Sequence, residues 1–353
     1  VSLTKEESSL MKDTAISAVN PKPYHTGERG AISQPTIGID IGGTKINAAV
    51  VIPNSQLTQP GEESLQSLIH SPTPTNSSEF LDALVTMVQT LQQKHAVAAV
   101  GISTAGVVDS IHGRILGSTG NMPALRELKH LKELLEAKVG LPVHVENDAN
   151  AAAYGEWRSG AAQGAENMFA ITLGTGVGMG IVFNGMMYRG SHFYAGEGGH
   201  IAISHLRERK CTCGRWDCWE AFASGTGLKK TAELAVEAAT DTAQAEFLQK
   251  YCPDGTVTTY AVISAQKDNN HIGERIIDTW HHHIAVGLGS LINVMDPDII
   301  VVGGGLAQFV DFDLLLERTR ERSISNDFQL VPATLGNHAG IVGAAHLAME
   351  ALS

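Results

Sequence analysis

Ile37 to Ile52 read IGIDIGGTKINAAVVI, and Met168 to Phe183 read MFAITLGTGVGMGIVF. Each stretch is an apolar run, a turn rich in glycine and threonine, and a second apolar run, the pattern of two β-strands joined by a tight hairpin. Its repetition predicts a duplicated architecture with a glycine-rich hairpin in each half. The turns also carry chemistry. Glycine has no Cβ, so the backbone N–H groups of Gly42 and Gly43, or of Gly174, Gly176 and Gly178, can approach an anion closely, and the hydroxyls of Thr44 and Thr175 add donors. One such turn is more often only a hairpin; two in matching positions point to phosphate oxygens. Asp40, on the strand before the first turn, is placed to hold Mg²⁺ through water.

Around the hairpins, helix and strand alternate. Phe80 to His95 has helical spacing, Val97 to Ser103 is a short buried strand, and Leu125 to Val139 has the spacing of one amphipathic helix. Pro142 to Glu146 reads as a strand that delivers Asn147 and Asp148 to its carboxyl end, ahead of an alanine-rich helix from Ala149 to Trp157. Asp298 to Gly305 is a strand running into Gly303, Gly304 and Gly305, and Ala339 to Leu352 is a closing helix. The fold class is α/β throughout. Two nucleotide-binding alternatives fail on spacing. No Gly-Lys pair occurs, which excludes a Walker loop, and Gln308 stands where the third glycine of a dinucleotide fingerprint belongs.

The 353 residues suffice for two domains with separate cores. A formal net charge of −12 and an aromatic content of 5% argue against a nucleic-acid partner, whose phosphates an acidic surface repels. No stretch approaches the roughly 18 apolar residues of a membrane helix, and the opening VSLTKEESSL lacks the apolar core of a signal peptide, so the expected location is the cytoplasm. Residues 1–35 are polar, carry Pro21, Pro23 and Pro35, and show no apolar period. They read as a loosely ordered extension without the two amphipathic helices of a helix-turn-helix. The remainder is expected to divide into a smaller lobe, 36–146 with 340–353, and a larger one, 147–339.

Three of the four cysteines, Cys211, Cys213 and Cys218, fall in the short run CTCGRWDC, while Cys252 stands apart as a buried bystander. In a reducing compartment clustered thiols signal a metal. His200 can complete a Cys₃His shell of the kind zinc takes, with His205 as a rival. Four protein ligands leave no open position for water, so such a zinc is structural and stiffens the loop. Glu197, in Gly196-Glu197-Gly198-Gly199-His200, and Glu220, just after Cys218, flank that loop. Carboxylates and imidazole on a rigid frame suit the hydroxyls of a polyol, although a lone surface glutamate is ordinarily only solvated. Asp148 has two compatible readings: an N-cap for the following helix, or a carboxylate facing a cleft that accepts a hydroxyl proton during phosphoryl transfer. His281, His282 and His283 lie about 100° apart around a helix and cannot converge on one metal. Met186-Met187 reads as loop packing.

Taken in order, IDIGGTK, VENDANAA, LGTGVG, GEGGH and CTCGRWDCWE resemble the ROK family, named for repressors, open reading frames and kinases, over nearly everything from Ile37 onward. The resemblance implies an actin-like, hexokinase-type fold of two lobes, and a kinase moving the γ-phosphoryl of MgATP to the 6-hydroxyl of a sugar. It implies Asp148 as catalytic base, with Asn147, Glu197, His200, Glu220 and Asn121 holding sugar hydroxyls. Asp40, Gly42, Gly43, Thr44 and Lys45 would meet the phosphates together with Gly174, Thr175, Gly176 and Gly178, and Gly303, Gly304 and Gly305 would lie near the adenosine. His200 would do double duty, holding zinc with Cys211, Cys213 and Cys218. A homodimer or homotetramer is expected by the same resemblance.

Three departures from the family pattern matter. Asp217 replaces the glycine usual before the last cysteine. Asn121 to Leu125 lacks the Leu-Pro-Gly-Trp flavour of many glucokinases, and Gly196 to His200 differs from the His-Pro-Glu pattern of family fructokinases. The first bears on the zinc loop without removing a ligand, the second weakens glucose, and the third favours an aldohexose or an N-acetylhexosamine; N-acetylmannosamine is expected before glucose. The family also contains sugar-responsive transcriptional repressors; the short, electrically balanced N-terminal segment offers no basic recognition helix for that role.

Overall fold

A computed structural model describes residues 34–52, 65–117 and 122–352. Residues 1–33 of the expected extension, and the expected sugar contact Asn121, lie outside them.

Strands β1 (Thr36–Ile41) and β2 (Lys45–Val51) pair antiparallel around the first glycine turn. β3 (Leu65–Pro72) lies beyond β2; after helix α1 (Ser77–Gln92), β4 (Val100–Thr104) joins β1 in parallel. The small hairpin of β5 (Val107–Asp109) and β6 (Arg114–Gly117) leads to helices α2 (Pro123–Glu127) and α3 (Leu131–Val139). β7 (Val143–Asn147) then completes a sheet in the order β3-β2-β1-β4-β7.

Helix α4 (Asp148–Ser159) crosses to the second half, which opens with β8 (Met168–Leu173), β9 (Val177–Phe183) and the two-residue β10 (Met186–Met187). Helices α5 (Glu220–Ala223), α6 (Gly225–Glu237), α7 (Asp241–Tyr251), α8 (Thr259–Lys267) and the long α9 (His271–Met295) follow. β11 (Ile299–Gly303), α10 (Phe312–Arg320), β12 (Gln329–Pro332) and α11 (Ala339–Glu350) end the chain's regular structure. The second sheet has the order β10-β9-β8-β11-β12. It repeats the first strand for strand: an antiparallel glycine hairpin whose first strand pairs with a parallel strand, which pairs in turn with another.

The local reasons are ordinary. Asn76 caps α1 by accepting from the N–H groups of Ser78 and Glu79, and the helix buries Phe80, Leu84, Val88 and Leu91 on one stripe. The single helix expected from Leu125 to Val139 is instead two. Leu128 and His130 leave helical geometry (φ −91°, ψ 50° and φ −108°, ψ 45°), and the Lys129 carbonyl turns out to accept the N–H of Ile115 on β6. Leu125, Leu128, Leu131 and Leu135 still reach one core, so periodicity survives a break that a tertiary hydrogen bond imposes. Met186-Met187 forms a short strand on β9 where loop packing was expected.

Each sheet has its own core, the second including Trp219, Trp280 and Phe247 with the apolar face of α9. Between the halves, α4 and α11 cross. α11 lays Ile341, Val342 and Ala345 against Ala49 and Val51 of β2, while Ala153 of α4 packs with Val182 and Val301 of the second sheet. Ala151 and Tyr154 of α4 meet Ala344 and Leu347 of α11. Among the described residues no helix is long and apolar enough to cross a membrane.

Candidate active site

Parallel pairing of β7 with β4, which sets Asn147 opposite Thr104, brings Asn147 and Asp148 to the carboxyl end of the first sheet. The N-cap of α4 is Asn147 and not Asp148: the Asn147 side-chain oxygen accepts from the N–H groups of Ala149 (2.9 Å) and Asn150 (3.1 Å). Asp148 is thereby the first helical residue, with its carboxylate open to the cleft. Its Oδ1 accepts from the Asn147 amide (3.0 Å) and the Ala149 N–H (2.9 Å). The protein walls of the cleft around it are the largest influence on its pKa and raise it by desolvation, and these donors offset only part of the rise.

Two cavities meet at Asp148, of about 620 Å³ and about 610 Å³. The first also holds Asp40, Lys45, Gly303 and Gly304, with Gly336 to Ile341 at the start of α11. The second holds Asn147, Glu197, His200 and Glu220 with the turn Gly174, Thr175, Gly176 and Gly178. The second glycine turn thus faces the side of the cleft with the polyol-type residues, while Gly42, Gly43, Thr44 and Gly305 line neither cavity. Thr172 and Gly304 line both. Gly304 has φ +87°, and a Cβ there would lie 2.5 Å from the Leu173 carbonyl oxygen, so only glycine lets β11 end against the second hairpin. Asp40 accepts from the Ser103 hydroxyl (2.7 Å); burial, and to a smaller extent the charge of Asp148, raises its pKa.

Glu220 is no idle surface acid. Its Oε2 accepts from the Val177 N–H of the glycine turn (3.1 Å), and its Oε1 accepts from the Thr212 hydroxyl in the cysteine loop (3.2 Å). Glu197 stands 3.7 Å from Nε2 of His200; burial chiefly raises its pKa, with Asp148 and Glu220 adding and His200 opposing.

His200, Cys211, Cys213 and Cys218 bring their ligand atoms within 4.8 Å of one another, and His205 is outside the group. The Sγ atoms of Cys213 and Cys218 are 3.6 Å apart, and Nδ1 of His200 is 3.7 Å from Sγ of Cys211. A tetrahedral zinc with bonds of about 2.3 Å to sulfur and 2.0 Å to nitrogen spaces its ligands by about 3.5–3.8 Å, so the donor set fits zinc. Metal on Nδ1 would leave Nε2, 3.7 Å from Glu197, to carry the ring's N–H. Asp217 keeps the left-handed φ of +57° that a glycine would favour, and its buried carboxylate accepts from the N–H groups of Arg207 (2.7 Å), Glu208 (2.9 Å) and Arg209 (2.9 Å). The family's glycine is therefore replaced by a residue that keeps the turn and ties it to the preceding segment. Cys252 is buried in the second core.

Several residues at the site were not singled out in the sequence. Asn150 lines the second cavity one turn into α4. Glu156, buried on α4, accepts from the N–H groups of Ala161, Thr334 and Leu335, fixing the segment that leads to Gly336 in the first cavity. Glu146 and Arg189 form an ion pair at 2.7 Å behind Asp148. Glu146 and Asn150 lie within the quoted VENDANAA; nothing local to Glu156 or Arg189 marked them.

Comparison with known proteins agrees with the motifs. The model of the ROK family matches residues 36–351. A glucokinase of Streptomyces coelicolor is 36% identical over 329 residues, 89% of this chain and 98% of that protein. Among solved structures, a ROK hexokinase from Thermus thermophilus superposes with a TM-score of 0.74 at 30% identity, covering 90% of this chain and 99% of that one. A ROK glucokinase from Streptomyces griseus, in complex with glucose and AMPPNP, gives 0.69 at 35% identity, covering 89% and 99%. The duplicated sheets with helices crossing between them are the two-lobed, actin-like fold. On its sequence, its strand order and its cysteine loop, this chain belongs to the ROK family.

Proposed function

We propose that this protein is an ATP-dependent sugar kinase that moves the γ-phosphoryl of MgATP to the 6-hydroxyl of an aldohexose or N-acetylhexosamine. The observation that carries the reading is that Asp148 is shared by two adjoining cavities of unlike character. One offers Asp40, Lys45 and the Gly303-Gly304 turn to a nucleotide; the other offers two carboxylates, an amide and an imidazole to a polyol. A sugar in the second cavity puts a hydroxyl beside Asp148, which takes its proton as the oxygen attacks the phosphorus. A raised pKa makes that carboxylate a stronger base than an ordinary aspartate, and the Asn147 amide keeps it oriented. Phosphoryl transfer needs little covalent help, so alignment of donor and acceptor across the joint supplies most of the acceleration. The lobes, 36–146 with 340–353 and 147–339, would close over both substrates, and Asp40 would hold Mg²⁺ through water.

His200, Cys211, Cys213 and Cys218 would hold zinc, whose contribution is rigidity of the loop beneath Glu220. The nucleotide analogue and glucose named for the Streptomyces griseus relative support ATP as donor and an aldohexose as acceptor. Relatives of at least 30% identity named glucokinase or hexokinase support glucose at least as well as N-acetylmannosamine, which the loop departures favour. ADP release measured over glucose, mannose, fructose, N-acetylglucosamine and N-acetylmannosamine tests the reading. Turnover with one aldose or N-acetylhexosamine is the expected result, and no turnover with any sugar ends it.

A further inference from the structure

Glu146 is the last but one residue of β7, and its side chain is 1% exposed. Its Oε1 accepts from the backbone N–H of Asn147 (3.0 Å) and the side-chain amide of Asn150 (3.1 Å), on either side of Asp148. Its Oε2 accepts from Nε of Arg189 at 2.7 Å, with Nε2 of His144 3.8 Å away, too far to bond. Although burial pushes the other way, the His144 ring, the Arg189 charge and the Asn150 amide hold its pKa below the ordinary glutamate value. The carboxylate is therefore an anion braced on both oxygens.

Arg189 belongs to the other half of the molecule, two residues past β10. Its carbonyl accepts the N–H of Ala195 (3.2 Å), closing a loop in which Gly190 and Phe193 have positive φ, as does Gly196 just after it. Phe193, Ala195 and Gly196 line the second cavity, and the chain runs on directly to Glu197 and His200. A backbone with a phenylalanine at φ +63° needs outside support to persist. The ion pair supplies a fixed point for it.

We propose that the Glu146–Arg189 pair is a positioning device for the reaction, setting the distance between the turn that carries Asp148 and the loop that carries Glu197 and His200. This rests on the kinase reading and adds how the acceptor pocket is held in register with the base. Neither residue lines either cavity, so neither touches substrate. Losing the pair shifts one side of the pocket relative to the other, which impairs sugar capture and alignment and leaves the nucleotide cavity intact, since Phe193, Ala195, Gly196, Glu197 and His200 line the second cavity and not the first.

The test compares Arg189→Met, Arg189→Lys, Glu146→Gln and the double variant Glu146→Gln/Arg189→Met with wild type, by steady-state kinetics in both substrates and by circular dichroism for folding. Arg189→Met is expected to raise the sugar KM and lower kcat, kcat/KM falling by about tenfold to a hundredfold, with KM for ATP within about threefold. Arg189→Lys restores part of the loss, and the double variant is no worse than the worse single one. A purely structural pair would lower the melting temperature and leave the sugar KM alone. Should Arg189→Met fail to fold, Glu146→Gln and Arg189→Lys, which keep size and most hydrogen bonds, decide. Folded variants that keep both constants within about twofold of an active wild type overturn the pair's role and leave the kinase reading standing. A wild type that phosphorylates no sugar overturns both.

Discussion

Gly343 of α11 lies so close to Ala151 of α4 that a Cβ built on it would sit 1.7 Å from the Ala151 carbonyl oxygen. Gly155, one turn further along α4, returns the contact: its Cβ would fall 2.5 Å from the Ala339 carbonyl oxygen. Two glycines thus let the helices cross backbone to backbone, and α4 is the helix that begins with Asp148.

Gly343→Ala should therefore act at both levels. The new methyl meets main chain, which cannot rotate away, so the helices must separate at a cost of about 3 kcal/mol or more. Urea unfolding measures that loss. Turnover should fall beyond what the unfolded fraction explains, because the base moves with its helix. A variant with wild-type stability would show that the crossing is looser than described.

Asp148→Asn should reduce kcat by about 10²-fold or more while sugar affinity, measured by calorimetry, stays nearly unchanged. The raised pKa of Asp148 adds a sign. The base works as a carboxylate, so kcat/KM should climb with pH along a limb lying above the ordinary aspartate range. The folded state binds this proton more tightly than the unfolded chain, so ionisation destabilises the fold, and Asp148→Asn should melt higher than wild type at neutral pH. An active Asp148→Asn enzyme, or one with an unchanged acid limb, removes Asp148 as base.

In the cysteine loop, Cys213→Ser removes a ligand and Asp217→Ala removes none, so the two should separate by metal content. Cys213→Ser is expected to lose bound zinc, measured by mass spectrometry, together with sugar affinity. Asp217→Ala leaves three N–H groups without their acceptor and an alanine at positive φ, and should lower the melting temperature while zinc stays stoichiometric. Asp217→Gly relieves the φ strain and should melt between wild type and Asp217→Ala. Equal melting of Asp217→Gly and Asp217→Ala would mean that backbone strain plays no part.

What could be read from sequence was what neighbours in sequence decide. Both hairpins, the strand ending at Asn147 and the closing helix follow from periods of two and of 3.6. The cysteine loop was legible because its ligands, His200 apart, lie within eight residues. The expected cap fell on Asp148 when it belongs to Asn147, because either residue can cap a helix and only the backbone angles and donors separate them. Arg189, Glu156 and the break at Leu128 to His130 left no trace, since each depends on a partner at least 13 residues away. Spacing carries no information about which distant carboxylate an arginine will find.

Acid should loosen the same helix joint from its far end. His346 of α11 stands with Nε2 2.8 Å from the hydroxyl of Ser159, at the end of α4, and its Nδ1 is buried without a hydrogen-bond partner. Burial, and secondly the charge of Arg158, pushes its pKa down to about 3. The unfolded chain takes up this proton near pH 6.5 and the folded protein does not, so the stability it reflects is complete above about 6.5 and drains away as pH falls towards 3. One proton of difference gives a slope of at most about 1.4 kcal/mol per pH unit. His281, which donates from Nδ1 to the Ile277 carbonyl and accepts at Nε2 from the Asp311 N–H, is likewise held neutral by burial and contributes in the same direction. Denaturant unfolding from pH 7 to pH 4 should show wild type losing stability more steeply than His346→Gln, with the two curves converging towards the acid end. Parallel curves would mean that His346 takes up its proton equally in both states, and that acid acts on the fold elsewhere.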